Sequence, residues 1–322
     1  MIICCGEALI DMVKRTLKET GETVYGPCFG GSPFNTTVAI ARQKVPVGFL
    51  GRISTDFLGE SLVKHLIANG VSTEYITRSR ENTTLGFVEV EQGREPEYVF
   101  YTEGAADRSL QISDLPASLT GEVRCIHFGS ISMTMEPVAS TIEHFIRHEA
   151  ARGEDAPVIS LDPNVRPFMI RDKDAYIKRF EGWLAAADIA KISEADFDFI
   201  YPGLTLEESL FRVLELGPKM ALTTLGPDGA LGLLKKTDGK ILRVRAPVVD
   251  LPVVDTIGAG DTFHGAFLSW LDRHGKMSRQ KLAALSEAEF YGALFFANKA
   301  ASLVCSRQGA NPPGFDETEA LK

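Results

Sequence analysis

Asp255-Thr256-Ile257-Gly258-Ala259-Gly260-Asp261 is the stretch around which the rest of the chain is read. It follows the apolar pair Val253-Val254 and precedes an amphipathic pattern running from Thr262 to His274. The expected order is therefore strand end, glycine turn, helix N-terminus. Two glycines flanking an alanine let backbone pass close to a ligand and aim N–H groups at it. The first turn of a helix adds unpaired N–H groups and partial positive charge, which suits an anion such as phosphate. Asp261 stands at the mouth of that anion site. A carboxylate there repels phosphate, so it reads either as a helix N-cap or as a base for a hydroxyl that attacks the phosphate.

Working outward, the composition sets bounds. The chain has 322 residues, 44% hydrophobic and 24% charged, as expected of a globular protein. Its net charge is -9 with a pI near 5.3, which argues against a nucleic-acid groove. The N-terminus lacks a basic region and its apolar run stops at Gly6-Glu7, so neither a signal peptide nor a membrane span is expected. The five cysteines form no C-x-x-C, the pattern of free thiols in a reduced cytoplasmic protein.

Apolar strands alternate with helices along most of the chain. Met1–Ile10 reads as a buried first strand ended by Asp11, and Lys14–Tyr25 as an exposed hairpin. Gly30-Gly31-Ser32-Pro33-Phe34-Asn35 opens a helix, where the amide of Asn35 suits a sugar-like hydroxyl. Residues 84–90 and Glu97–Tyr101 alternate around Gln92-Gly93-Arg94 and predict a second hairpin. The two hairpins, about 12–29 and 84–102, would form a small β-sheet lid on one large domain spanning 1–322. A strand at Val123–Met133, one at Val158–Leu161 and one at Ile189–Ser193 alternate with helices at Glu136–Arg152 and Asp174–Asp188. The tail from Gln308 reads as irregular. This rhythm predicts an α/β fold with three layers, α/β/α, and a mostly parallel central sheet. Ligands in such sheets bind beyond the C-terminal strand edges. Asp11, Asp162–Arg166, Lys191–Glu194, Thr224–Gly229 and Asp255–Asp261 all fall at such edges.

Several chemistries lack their motifs. The chain carries no P-loop, no dinucleotide-binding G-x-G-x-x-G and no G-x-S-x-G elbow. His144 and His148 have no third metal ligand at obvious spacing and read as an exposed helix face with Glu143 and Glu149. Phosphoryl transfer remains. It needs an anion cradle, a base and exclusion of water.

Together, Gly30–Asn35 and Asp255–Asp261 resemble the paired signatures of the ribokinase-like (PfkB-type) carbohydrate kinase family. The resemblance extends from Gly6-Glu7-Ala8-Leu9-Ile10-Asp11 to Gly309-Ala310-Asn311-Pro312-Pro313, and Lys191-Ile192-Ser193-Glu194 is most similar to the fructokinase branch. It implies a ribokinase-like fold and an ATP-dependent kinase for the 6-hydroxyl of D-fructose. Asp261 would be the general base, and Gly258, Ala259 and Gly260 the anion hole. Asp11, Gly30, Gly31 and Asn35 would meet sugar hydroxyls, with Tyr101 and Arg166 facing the substrate. Lys191, Glu194, Thr224, Gly226, Gly229 and Asn298 would serve the nucleotide, Glu194 also acting on Mg²⁺ through water. Much of the family has Asn where this chain has Lys191, a departure that places a cation near the phosphates. ATP and Mg²⁺ are the implied cofactors, with a monovalent cation such as K⁺ as a further candidate. Sugar and ATP are the expected partners, without nucleic acid or membrane, and a homodimer through the lid is conceivable. The rival readings are a 2-keto-3-deoxygluconate kinase and a non-catalytic sugar sensor on the same scaffold.

Overall fold

The computed structural model describes residues 1–17, 20–89, 97–153 and 156–322. The chain opens with β1 (Ile2–Cys5), β2 (Leu9–Thr16), β3 (Thr23–Gly30), α1 (Ser32–Arg42), β4 (Val47–Ser54), α2 (Phe57–Ala68) and β5 (Ile76–Ser79). Then come β6 (Leu85–Glu89), β7 (Glu97–Tyr101), β8 (Cys125–Gly129), α3 (Val138–Ala150), β9 (Val158–Asp162), α4 (Lys173–Leu184), β10 (Ile189–Lys191) and α5 (Glu194–Ile200). It ends with α6 (Leu206–Leu216), β11 (Met220–Thr224), β12 (Ala230–Lys235), β13 (Ile241–Ala246), α7 (Ala259–Arg273), α8 (Arg279–Ala283), α9 (Glu287–Cys305) and α10 (Phe315–Ala320).

The large sheet has the order β13-β12-β11-β10-β9-β8-β1-β4-β5 and is parallel except for β12 and β13. Every residue of β1, β8, β9 and β10 is buried, because helices cover both faces. Alternation along β1 divides the core. Ile2 and Cys4 join Phe34, Phe263 and Phe290 on one face, while Ile3 and Cys5 join Phe128, Phe180 and Trp183 on the other. The chain builds outward from β1 in both directions, so β1 marks the place where strand order reverses. In open α/β sheets that reversal is where ligands bind. Three strong helix starts come from capping boxes, at Ser193, Thr205 and Ser286.

A second sheet, β3-β2-β6-β7, stands beside this edge. The expected single strand Met1–Ile10 is broken, because the chain turns at Gly6. A Cβ on Gly6, whose φ is +150°, would lie 2.5 Å from Pro33 Cγ. The residues after it pair as β2 in the small sheet, so Asp11 belongs to that sheet and does not end a central strand. β6 and β7 pair antiparallel as expected, and their turn around Gln92-Gly93-Arg94 lies outside the described residues.

Three other expectations change. Val253-Val254 is not a strand end; both side chains are exposed, and an irregular segment leads into the glycine turn. The tail contains α10, whose Phe315 packs on Phe296 and under Arg273. Glu149 is not on an exposed helix face. It is buried and accepts from Arg152, while His148 stays in solvent. Among the described residues no helix is long and apolar enough to cross a membrane.

Candidate active site

Two helices bring the two glycine-rich stretches together. α1 and α7 start at the same sheet edge and cross where Gly265 meets α1. A Cβ at Gly265 would lie 2.8 Å from Ala39 Cβ and 3.0 Å from the Thr36 carbonyl oxygen. This close approach sets the first turn of α7 beside the first turn of α1. Ser32 Oγ donates to Asp261 Oδ1 at 2.6 Å, and Asn35 Nδ2 donates to Oδ2 at 2.9 Å. Burial pushes the Asp261 carboxyl up to about 6, against the pull of these two donors.

The turn before Asp261 is held by its own sequence. Asp255 accepts from Ile257 N–H at 3.0 Å and from Gly309 N–H at 2.8 Å, tying the turn to the chain beyond α9. Gly258 caps α7 at φ +75°, and a Cβ there would meet Ala310 Cβ at 2.8 Å. Ala259 N–H donates to Thr256 O at 3.2 Å. One of the three N–H groups expected in the anion hole is therefore turned back into the loop.

Asp261 faces a cavity of about 240 Å³, also lined by Asp11, Gly31, Asn35, Arg166, Lys191 and Gly258–Gly260. Asp11 reaches it from β2. Two glycines make room for its carboxylate, since Cβ atoms on Gly30 and Gly86 would lie 2.2 Å and 2.6 Å from its oxygens. Gly30 does not line the cavity, so its part is clearance for Asp11. Burial pushes Asp11 up to about 7; Arg166 opposes the rise and Asp261 adds to it. Arg166 is anchored through Nη1 to the Asn164 carbonyl and side-chain oxygens, and its guanidinium lies over the Tyr98 ring.

A second cavity of about 500 Å³ collects Thr224, Gly226, Gly229 and Asn298, with Val248, Val249, Leu251 and Phe263 as apolar walls. A Cβ on Gly229, at φ +89°, would overlap Ala246 O at 2.1 Å, so the turn after β11 requires glycine. Asn298 donates both amide hydrogens inward, to Ala246 O at 2.8 Å and Pro247 O at 2.9 Å. It thus fixes the cavity wall and has only its carbonyl oxygen to offer a ligand. The two cavities share Thr256, Ala259 and Gly260.

A family model described as pfkB family carbohydrate kinase matches residues 1–317. The chain belongs to the PfkB family of carbohydrate kinases. As a member it is a phosphotransferase acting on a sugar hydroxyl. It is 37% identical over 289 residues to a fructokinase of Rhizobium leguminosarum bv. trifolii, covering 89% of this chain and 84% of that one. It is 31% identical to a probable fructokinase-5 of Arabidopsis thaliana, covering 97% and 93%. Its fold superposes on a fructokinase with bound ATP from Xylella fastidiosa with a TM-score of 0.87 at 26% identity, covering 99% and 97%. The large sheet between helices with its small companion is the ribokinase-like fold of such kinases.

Against that family background, three expected site residues besides Gly30 fall elsewhere. Tyr101 points to solvent at 63% exposed and packs edge-on against Phe87. The cavity is instead lined by its neighbours Tyr98 and Phe100, which stack with Phe168 in near-parallel planes. Glu194 starts α5, is exposed, and lines neither cavity. Lys191 is buried and bound to Asp162 at 3.0 Å, on the first cavity and not on the second one. Burial works against its charge, but Asp162 prevails and raises its pKa. Glu7, Ser32 and Asn164 also line the cavity and were not expected there. Glu7 had a signal, being the first carboxylate after a buried strand. Ser32 lies inside Gly30–Asn35, where the amide of Asn35 is the stronger local signal.

Proposed function

We propose that the protein is an ATP-dependent fructokinase that transfers the γ-phosphoryl group to the 6-hydroxyl of D-fructose. Residues 1–322 are then one kinase domain, with the small sheet as its lid. The observation that carries the reading is Asp261, buried and aimed into a cavity that meets a second cavity at its own glycine turn. Fructose would occupy the first cavity, its hydroxyls bonded by Asp11 and Asn35. Adenosine would lie in the apolar second cavity, and the phosphates would run past Gly260 toward Asp261. Asp261 takes the proton of the 6-hydroxyl as that oxygen bonds to the γ-phosphorus and ADP leaves. The identities of the fructokinases above and the ATP of the Xylella fastidiosa structure support this choice.

Mg²⁺ would ride mainly on the nucleotide. Among the described residues no group of three or more His, Cys, Asp or Glu forms a metal cluster, and Mg²⁺ bound through phosphates and waters needs at most one or two carboxylates. When bound it neutralises charge developing on the phosphates. Lys191, next to Gly260, would place its cation near the transferring group. A K⁺ requirement stays a proposal to be read from activity with and without the ion.

The lining of the first cavity supports fructose over the keto acid. It gathers the carboxylates Glu7, Asp11 and Asp261 against Arg166 and the already paired Lys191. Hydroxyls fit such acceptors, whereas the carboxylate of 2-keto-3-deoxygluconate would be repelled. ADP release measured with fructose, glucose, ribose, 2-keto-3-deoxygluconate and adenosine tests this. Turnover greatest with fructose is expected. Preference for the keto acid would overturn the substrate, and tight sugar binding without turnover would favour a sensor.

The outward face of the small sheet carries Tyr25, Phe87 and Tyr101 in successive edge-on contacts, with Val99 exposed beside them. We offer this face to a second copy of the same chain. The five free cysteines fit a reducing cytoplasm as the place of action.

A further inference from the structure

Ser32 occupies the first position of α1, yet it does not cap that helix. The N-cap is Gly31, with no side-chain cap bond. The Ser32 hydroxyl goes instead to Asp261, 229 positions away, at 2.6 Å in a buried setting. Its backbone is fixed from the other side. Ser32 N–H donates to Glu7 Oε1 at 3.1 Å, and Glu7 Oε2 accepts from both the N–H and the hydroxyl of Ser132. Glu7 is 1% exposed, so this anchor is buried. Pro33 follows directly and locks the next φ. A residue merely filling the start of α1 would need neither its N–H held by a buried carboxylate nor its hydroxyl sent to another helix.

We propose that Ser32 is a positioning residue for Asp261: its hydroxyl fixes the plane of the carboxylate and favours the ionised form that accepts the substrate proton. The inference rests on the reading of Asp261 as the base. An ionised carboxylate offers about four lone-pair sites. Ser32 takes one on Oδ1 and Asn35 one on Oδ2, leaving a site on each oxygen for the substrate hydroxyl. A donor to the charged form favours that form. The other charged groups around Asp261 act from separate elements. Asp162 on β9 opposes ionisation and Lys191 on β10 favours it, while Asp11 and Tyr98 on the small sheet each feel the charge of Asp261. Arg166 and Glu7 line the same cavity. None of these donates a hydrogen bond to Asp261; Ser32 and Asn35 do, and of these Asn35 is also a candidate sugar contact.

The test is the pH dependence of kcat at saturating fructose and ATP with Mg²⁺, for the unmodified protein, Ser32→Ala, Ser32→Cys and Ser32→Thr. Melting curves and sugar Kd are measured alongside. Ser32→Ala should move the acid limb up by about one pH unit, the worth of a hydrogen bond to a charged group. Sugar Kd should change little. Ser32→Cys keeps the volume with a poor donor and must move the limb in the same direction, which preserves the test if the alanine variant fails to fold. Ser32→Thr restores a hydroxyl and should return the limb. An unmoved limb in the alanine or cysteine variant, or a threonine variant that behaves like alanine, overturns the proposal. Asp261→Asn serves as the control. Near-normal kcat in that variant would remove the base itself, whereas an inactive Asp261→Asn beside an unmoved Ser32→Ala limb removes only the part given to Ser32.

Discussion

Two aspartates in one small cavity are held at unlike cost. Asp261 has two donors and rises to about 6, while Asp11, with burial dominant, rises to about 7. Asp261→Asn, which keeps the shape and removes the base, should lower kcat by at least ~10²-fold with little change in sugar Kd. Asp11 makes a different prediction, about stability. Its folded pKa lies above the ordinary carboxylate value near 3.9, so protonation is favoured by folding. The stability it contributes is full below about pH 4 and is lost as pH rises through about 7. Asp11→Asn should therefore raise the melting temperature at pH 8, with the gain shrinking steadily toward pH 4. A gain that grew on acidification would contradict the raised pKa. The same variant should bind fructose more weakly, and that weakening would mark Asp11 as a sugar contact held at a cost in stability.

At the scale of elements, β7 is the instructive strand. Side chains alternate along it, so Tyr98 and Phe100 share one face and Val99 and Tyr101 the other. The period is legible in the sequence, but which face meets the substrate is not. The small sheet packs with Tyr98 and Phe100 against Phe168, which sits just beyond β9 in the large domain. Removing Tyr98 with Tyr98→Ala should raise the fructose KM by about tenfold, given the worth of an aromatic contact and the loss of the ring under Arg166. Tyr101→Ala should leave that KM within about twofold. The reverse order in steady-state kinetics would mean that the small sheet presents its other face to the sugar. The start of β2 has a similar history. Only Gly6-Glu7 interrupts the apolar run Met1–Ile10, and only the approach of Pro33 requires glycine at position 6.

For the whole molecule, the large sheet carries the candidate site at the reversal of strand order beside β1, and the small sheet lines it with Leu9, Asp11, Tyr98 and Phe100. The outer aromatic face of the small sheet leaves Tyr25, Val99 and Tyr101 exposed. If it joins two copies, light scattering should give twice the mass of one chain, and Tyr101→Glu should return the mass to that of a single chain. A single-chain mass for the unmodified protein at micromolar concentration would remove the dimer. Such a contact would be isologous, each small sheet meeting the same face of its partner.

The sequence by itself determined the class of fold and the chemistry. Alternating apolar strands and helices specify a parallel sheet, because a strand buried on both faces must be apolar throughout. Gly258-Ala259-Gly260-Asp261 specifies a glycine turn, a helix start and a carboxylate within four residues, so the place of Asp261 was legible without any partner. Asn35, Gly31 and the turn Thr224–Gly229 were legible for the same reason, since glycine and amide positions are local. Tertiary structure alone decided what stands around them. It moved Asp11 onto the small sheet and paired Lys191 with Asp162. It exchanged Tyr101 for Tyr98 and turned the Asn298 amide into the cavity wall. It also joined Ser32 to Asp261 across 229 positions. Those contacts depend on where α1 crosses α7 and where the small sheet docks, and neither is written in any local pattern. In the sequence Asp261 stood without surroundings; Gly265, by letting two helices meet, gave it a neighbour.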